Sequence, residues 1–327
     1  MFTMNTKFKD FMRKYQGKKM AVGVSGGVDS VCLLYWLHEV GADIVCLHVN
    51  HKLRPEADTE TSYVQDICKK LNIPCHVFIW DGDKPKSGLE AAARENRYKM
   101  MTDFCAQNGI EYLLTAHQSD DQIETFLMNL SRGSGLYGLS GMMHESLRNG
   151  IKILRPLLDV SREEIQQYCD GNHIKYFVDS MNNDEHYTRV KIRKNRQLLN
   201  DNLGISDSRI LLAIQNLGRT RQWMDKYITN RLEIILRPWG TMFADSFLFD
   251  EADEIRLKLL GLAIQKIGGD DYLPRLNSLQ QALCKLQSDC QFTLGHCTIR
   301  RFNNRILIVP EGKRTTFRKR YEKRKKQ

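Results

Sequence analysis

Two groups of residues in this 327-residue chain have the types and spacing to do chemistry. The first is Ser25-Gly26-Gly27-Val28-Asp29-Ser30, which follows the apolar run Met20-Ala21-Val22-Gly23-Val24 and precedes a nearly all-apolar stretch at 31–37. Glycines let the backbone approach a ligand closely, and free amides at the start of a helix face an anion, so phosphate is the expected occupant. The run is not a Gly-x-x-x-x-Gly-Lys-[Ser/Thr] loop and places no lysine on a phosphate, so amides and hydroxyls must form the cradle. The second group is Asp121 and Glu124, within Thr115-Ala116-His117-Gln118-Ser119-Asp120-Asp121-Gln122-Ile123-Glu124-Thr125. Their spacing puts both carboxylates on one helix face. Acids in a first turn commonly complement the helix dipole. Beside a triphosphate they can hold Mg²⁺ or take a proton from an attacking amine.

The elements around them predict where they sit. Short apolar runs at 20–24, 44–49, 75–80, 112–116 and 151–154 alternate with helical patterns such as Val64, Ile67, Cys68 and Leu71, or Ile123, Phe126, Leu127 and Leu130. Continuous apolar strands alternating with helices predict an α/β fold with a doubly wound, mainly parallel five-stranded Rossmann-like sheet. In such sheets ligands collect at the carboxyl ends of the strands, where both groups fall. Ser161-Arg162-Glu163-Glu164 predicts a capping box and a further helix. The sheet domain is expected over 1–200 and a helical domain over 201–270, with Ile210, Ile214, Leu217, Met224 and Ile228 on one long helix. A small mixed α/β region at 271–312 carries weak strand signals around Asn303-Asn304, and a basic tail covers 313–327.

At 42% hydrophobic and 27% charged residues the composition is that of a globular protein with real cores, and the length predicts more than one domain. No apolar stretch is long enough to cross a membrane and residues 1–19 have no secretory pattern, so a cytoplasmic protein is expected. The net charge of +10 suggests a polyanionic partner, yet residues 313–327 contribute nine Lys/Arg against one Glu, leaving only +2 elsewhere. The nine cysteines are scattered with no Cys-x-x-Cys pair and read as reduced, buried thiols.

The hexapeptide in its strand–loop–helix context resembles the PP-loop of the N-type ATP pyrophosphatases, which cleave ATP to AMP and pyrophosphate while adenylating a substrate. Further stretches are similar to one family within that superfamily, the tRNA(Ile)-lysidine synthetases. These are His48-Val49-Asn50-His51-Lys52-Leu53-Arg54-Pro55, Ala91-Ala92-Ala93-Arg94-Glu95-Asn96-Arg97-Tyr98, the run 115–125, the glycine-rich run 132–142, and Tyr187-Thr188-Arg189-Val190-Lys191-Ile192-Arg193. The resemblance implies that Ser25, Gly26, Gly27, Val28, Asp29 and Ser30 bind ATP, and that Asp121, Glu124, Arg97 and Arg193 are catalytic. It further implies Mg²⁺ on Asp29 and Asp121, and tRNA contacts from Arg132, Arg189, Lys191 and Arg196. The glycine-rich run would be a mobile cover over the site. The reaction it implies joins free L-lysine to C2 of the wobble cytidine of a CAU-anticodon tRNA(Ile), and it allows a homodimer. A tRNA thiolase of the same superfamily and a non-catalytic tRNA-binding protein are the alternatives. Met181 beside Asn182, and the lack of a proline after Leu198-Leu199, depart from the family pattern. They leave the roles of Arg189 and Arg193 open.

Overall fold

A computed structural model describes residues 3–53, 55–82, 84–85, 88–177, 188–270 and 272–312. The chain divides into two compact units, Met1–Gly218 and Arg219–Gln327. In the first, the order is α1 (Thr6–Arg13), β1 (Met20–Gly23), α2 (Val28–Glu39), β2 (Ile44–Asn50), α3 (Ala57–Lys70), β3 (Cys75–Ile79), α4 (Leu89–Gln107) and β4 (Tyr112–Leu114). There follow α5 (Ser119–Leu130), α6 (Leu136–Leu139), β5 (Glu145–Arg148), β6 (Ile151–Leu154), α7 (Arg162–Gly171), α8 (Thr188–Leu203) and the start of α9 (Asp207–Ile235).

The sheet order is β3-β2-β1-β4-β6-β5. All neighbours are parallel except β5, which runs antiparallel to β6. The expected five-stranded sheet therefore has six strands. The edge strand Glu145-Ser146-Leu147-Arg148 escaped the sequence reading because an edge strand exposed on one side needs no apolar run; its pattern alternates exposed and half-buried residues. Alternation along each central strand supplies two cores. Met20, Val22, Ile44 and Cys46 face α1, α2, α3 and α7, while Ala21, Val45, Leu47 and Ile153 face Tyr98, Met101 and Cys105 of α4. The chain reverses its winding between β1 and β4, and the carboxyl ends of those two strands carry the two groups of residues singled out above.

The capping box at α7 forms as the sequence predicts: Ser161 Oγ accepts from the Glu164 amide at 3.1 Å, and the Ser161 amide donates back to Glu164 Oε2 at 3.0 Å. Nearby, His144 Nε2 lies 3.2 Å from Asp159 Oδ2. The bond to Asp159 raises the His144 pKa above 6.5, against burial, and the same bond lowers Asp159 below 3.8. The histidine share of the stabilisation is full below its unfolded pKa and is lost as pH rises through the raised value. The aspartate share is present above its unfolded pKa and is lost as pH falls through the lowered value. The pair therefore stabilises most between about pH 4 and 6.5. His144→Gln should lower the melting temperature more at pH 6 than at pH 9, and an equal loss at both would contradict the assignment.

In the second unit β7 (Leu236–Arg237), β8 (Gly240–Ala244), α10 (Ser246–Phe249), α11 (Asp253–Gly268), α12 (Leu276–Lys285), β9 (Cys290–Leu294), β10 (Cys297–Phe302) and β11 (Arg305–Pro310) build an antiparallel sheet in the order β7-β8-β11-β10-β9. Thr241 pairs with Ile308 and Phe243 with Ile306, so the regions expected separately at 201–270 and 271–312 share one sheet. Asn303 and Asn304 both take positive φ, 46° and 58°, giving β10 and β11 a two-residue hairpin turn of the kind an Asn pair favours. No described helix is long and apolar enough to cross a membrane.

Candidate active site

The loop at 25–30 is closed by its own hydroxyls. Ser30 Oγ donates to the Gly27 carbonyl at 2.9 Å and accepts from the Ser25 amide at 3.1 Å, and Ser25 Oγ lies 3.2 Å away. Ser30 is buried and Ser25 exposed, so Ser30 anchors the loop from within while Ser25 closes it at the surface. Gly27 is the N-cap of α2 and makes no side-chain cap, which leaves the first amides of that helix to an anion. Gly26 sits at φ +93°, and its carbonyl accepts from the Phe177 amide at 3.0 Å. A Cβ there would meet Val64 at 3.6 Å and Phe177 at 3.7 Å, ordinary contacts, so the cost of Gly26→Ala is conformational. We expect a loss of about 1–2 kcal/mol. Melting curves should show it, with a smaller upward shift on adding ATP; an unchanged ATP response would mean the loop geometry is not needed for binding.

Facing the loop, α5 begins with a capping box in which Asp121 Oδ2 accepts from the Gln118 amide at 3.1 Å and the Gln118 side chain accepts from the Asp120 amide. One oxygen of Asp121 thus serves the helix start. Glu124 is fully buried, and its Oε1 accepts from Arg193 Nε at 2.9 Å and Nη2 at 2.8 Å. Asp120 Oδ2 accepts from both terminal nitrogens of Arg196 at 3.1 Å, and Arg196 also reaches Asp207 Oδ2 at 2.9 Å. These ion pairs lock α8 against α5. Asp29, in the first turn of α2, is pushed up from 3.8 to about 6 by burial, with Arg162 and Arg193 pulling it down and Asp121 and Asp120 pushing it up. Its Oδ1 is buried and makes no hydrogen bond among the described residues.

A second wall is cationic. Tyr98 is buried, with Arg148, Arg94 and Arg97 at 4.2, 5.3 and 6.0 Å from its ring centre. Burial, then the charges of Arg94 and Arg148, lower Arg97, with Tyr98 opposing. It remains a cation at neutral pH. Arg94 Nη2 lies 3.4 Å from His117 Nε2, whose other nitrogen is 3.0 Å from Thr115 Oγ1. His51 is pushed down to about 4 by burial and then by Arg97, so it is neutral here. His48 is a structural histidine: Nδ1 lies 2.8 Å from the Val24 carbonyl and Nε2 3.1 Å from Thr61 Oγ1.

The structure therefore brings Asp29, Asp121, Glu124 and Arg193 together. Lys191 and Arg132 are exposed, whereas Arg196 is committed to Asp120 and Asp207. The side chain of Arg189, residue Arg54, the segment 178–187 and the tail 313–327 lie outside the described residues. The glycine-rich run, expected as a mobile cover, is tied down at two points. Gln122 clamps Met142 through two bonds of 2.7 Å, and Asn129 donates to the Gly138 carbonyl at 2.8 Å, pinning α6 to α5. Sequence reasoning missed Asp120 and Arg162, which tune the site electrostatically, and the pair Arg94–His117. Asp120 was signalled by its place beside Asp121 in the first turn of α5; Arg162 had no signal beyond following a cap.

The fold and the loop define an ATP-binding PP-loop domain, and the family model described as the PP-loop domain matches residues 1–200. The tRNA(Ile)-lysidine synthase of Wolbachia pipientis wMel is 35% identical over 312 residues, spanning 92% of this chain and 72% of that protein. Those of the Wolbachia of Brugia malayi and of Rickettsia akari are each 33% identical, over 94% and 90% of this chain and 75% and 70% of theirs. This chain belongs to the tRNA(Ile)-lysidine synthase family. Among solved structures, the U34-tRNA thiolase NcsA from Methanococcus maripaludis shares the fold with a TM-score of 0.54, at 16% identity over 65% of this chain and 78% of that one.

Proposed function

We propose that this chain ligates free L-lysine to C2 of the wobble cytidine of a CAU-anticodon tRNA(Ile) in the cytoplasm, consuming ATP and releasing AMP and pyrophosphate. The observation that carries the reading is family membership over nine-tenths of the chain, with the acid and arginine set intact around the loop. The loop amides and Ser25 hold the phosphates, and the C2 oxygen of the cytidine attacks the α-phosphate. Adenylation turns a poor leaving oxygen into a good one, and the ε-amine of lysine then displaces AMP. Holding amine and base together supplies much of the rate.

Mg²⁺ fits the residues present. Asp29 presents a buried oxygen with no hydrogen bond among the described residues, and carboxylates crowd around it, a hard-oxygen set that a divalent cation would relieve. Asp29 would hold it, which leaves the second Asp121 oxygen for proton transfer, and when bound it offsets charge on the phosphate oxygens. The amine must lose a proton, since free lysine is charged at neutral pH. Glu124 is fully buried with one oxygen spent on a guanidinium, so it serves better to aim Arg193 at developing phosphate charge than to accept that proton. Asp121, only half-buried, is the base we favour. Exposed Lys191 and Arg132 are the described side chains assigned to tRNA phosphates, with Arg196 reassigned to positioning Asp120. The thiolase alternative rests on fold likeness alone. Pyrophosphate release from ATP should require a CAU transcript of tRNA(Ile) and fail with a transcript whose wobble base is not cytidine; release that ignores the wobble base would overturn the reading.

A further inference from the structure

Three cysteines that the proposed reaction does not use converge in the first unit. Cys46 on β2 and Cys75 on β3 are register partners on adjacent parallel strands, and Cys68 comes from α3, which covers that face of the sheet. Their three Sγ atoms all lie within 4.8 Å of one another. A metal with thiolate bonds near 2.3 Å and trigonal geometry needs sulfurs about 4 Å apart, so the spacing needs only a small contraction. Cys46 and Cys68 are buried and Cys75 is half-buried, which gives an ion a way in from the surface at one corner.

No fourth protein ligand stands by among the described residues. Both ring nitrogens of His48 are occupied, by the Val24 carbonyl and Thr61. His76 pairs with Leu47, on the opposite face from Cys46, and packs its ring against Phe78 and Phe104 at 4.5 and 4.8 Å. Structural Zn²⁺ sites almost always take four protein ligands, whereas three soft thiolates without a fourth protein donor suit a soft monovalent ion. We propose that Cys46, Cys68 and Cys75 form a trigonal three-thiolate site for a single Cu⁺ ion, tying β2, β3 and α3 together. Binding would form three S–Cu bonds, with the thiol protons released to solvent.

The test titrates the reduced full-length chain with Cu⁺ under argon, in competition with a Cu⁺ chelator of known affinity, while following the ultraviolet sulfur-to-copper band and the melting temperature. One equivalent should bind, with the band appearing and the melting temperature rising together, because an ion bound only by the folded state stabilises it. Cys75→Ser and Cys68→Ser should each lose the chelator-resistant band, and Cys284→Ser, at an exposed position outside the cluster, should keep it. Circular dichroism establishes that each variant is folded, with Cys75→Ala as a second replacement if the serine form is not. Retention of tight Cu⁺ by the folded Cys75 variants would overturn the site. So would preferential Zn²⁺ binding at these cysteines, or a parent chain that takes no Cu⁺ and instead forms a disulfide among the three.

Discussion

Arg193→Ala lowers lysine transfer to tRNA by on the order of 10²–10³-fold, the loss expected when one preorganised donor to developing charge is removed. It also destabilises the first unit by about 2–4 kcal/mol, because it takes a guanidinium away from a carboxylate that water does not reach. Lysine at that position recovers little, since one ammonium cannot reproduce the paired Nε and Nη2 bonds at 2.9 and 2.8 Å. Glu124→Gln separates the two effects. It keeps the shape and much of the stability but loosens Arg193, so turnover falls steeply while the melting temperature moves little. A glutamine variant within threefold of the parent rate would mean that Glu124 does not position Arg193 for catalysis.

Asp29→Asn gives a larger loss of activity together with a gain in stability. Its carboxyl is raised from 3.8 to about 6, chiefly by burial, so ionising it costs folding free energy. A raised folded pKa means that the stabilising share is full below the unfolded value and is lost as pH rises through about 6. At pH 8 the parent bears the whole penalty, of at most roughly 3 kcal/mol from the size of the shift and about 1–2 after relaxation. Asparagine removes it, so the variant should melt a few degrees higher at pH 8, with the gain shrinking toward pH 4. Pyrophosphate release should be lost, because Asp29 is an assigned Mg²⁺ ligand. A variant no more stable than the parent at pH 8 would show that the buried charge is already compensated.

Much of this arrangement was legible in the residues, for identifiable reasons. Strands buried on both faces announce themselves as unbroken apolar runs, and Ser161 with Glu164 is a local signal that acts locally. The loop at 25–30 was readable because glycine, hydroxyl and acid each do a job fixed by backbone geometry. Long-range pairings were not readable. Nothing in the neighbourhood of Arg196 says that its partners are Asp120 and Asp207, and the exposed tRNA contact expected of it became an internal tie. Likewise Cys46, Cys68 and Cys75 are unremarkable core thiols until parallel register sets two of them side by side. The glycines at 133–141 did not reveal that Gln122 satisfies both backbone groups of Met142 from a helix earlier in the chain, information carried by a different segment.

The defining step of the proposed reaction is the joining of lysine to one cytidine. It is tested most directly by incubating purified chain, ATP, Mg²⁺ and labelled lysine with a CAU-anticodon tRNA(Ile) transcript, then digesting the RNA to nucleosides. Label is expected only in a modified cytidine from the wobble position, with AMP and pyrophosphate formed in equal amounts. Label absent from the RNA while ATP and tRNA are bound, or carried by another nucleoside, would contradict it.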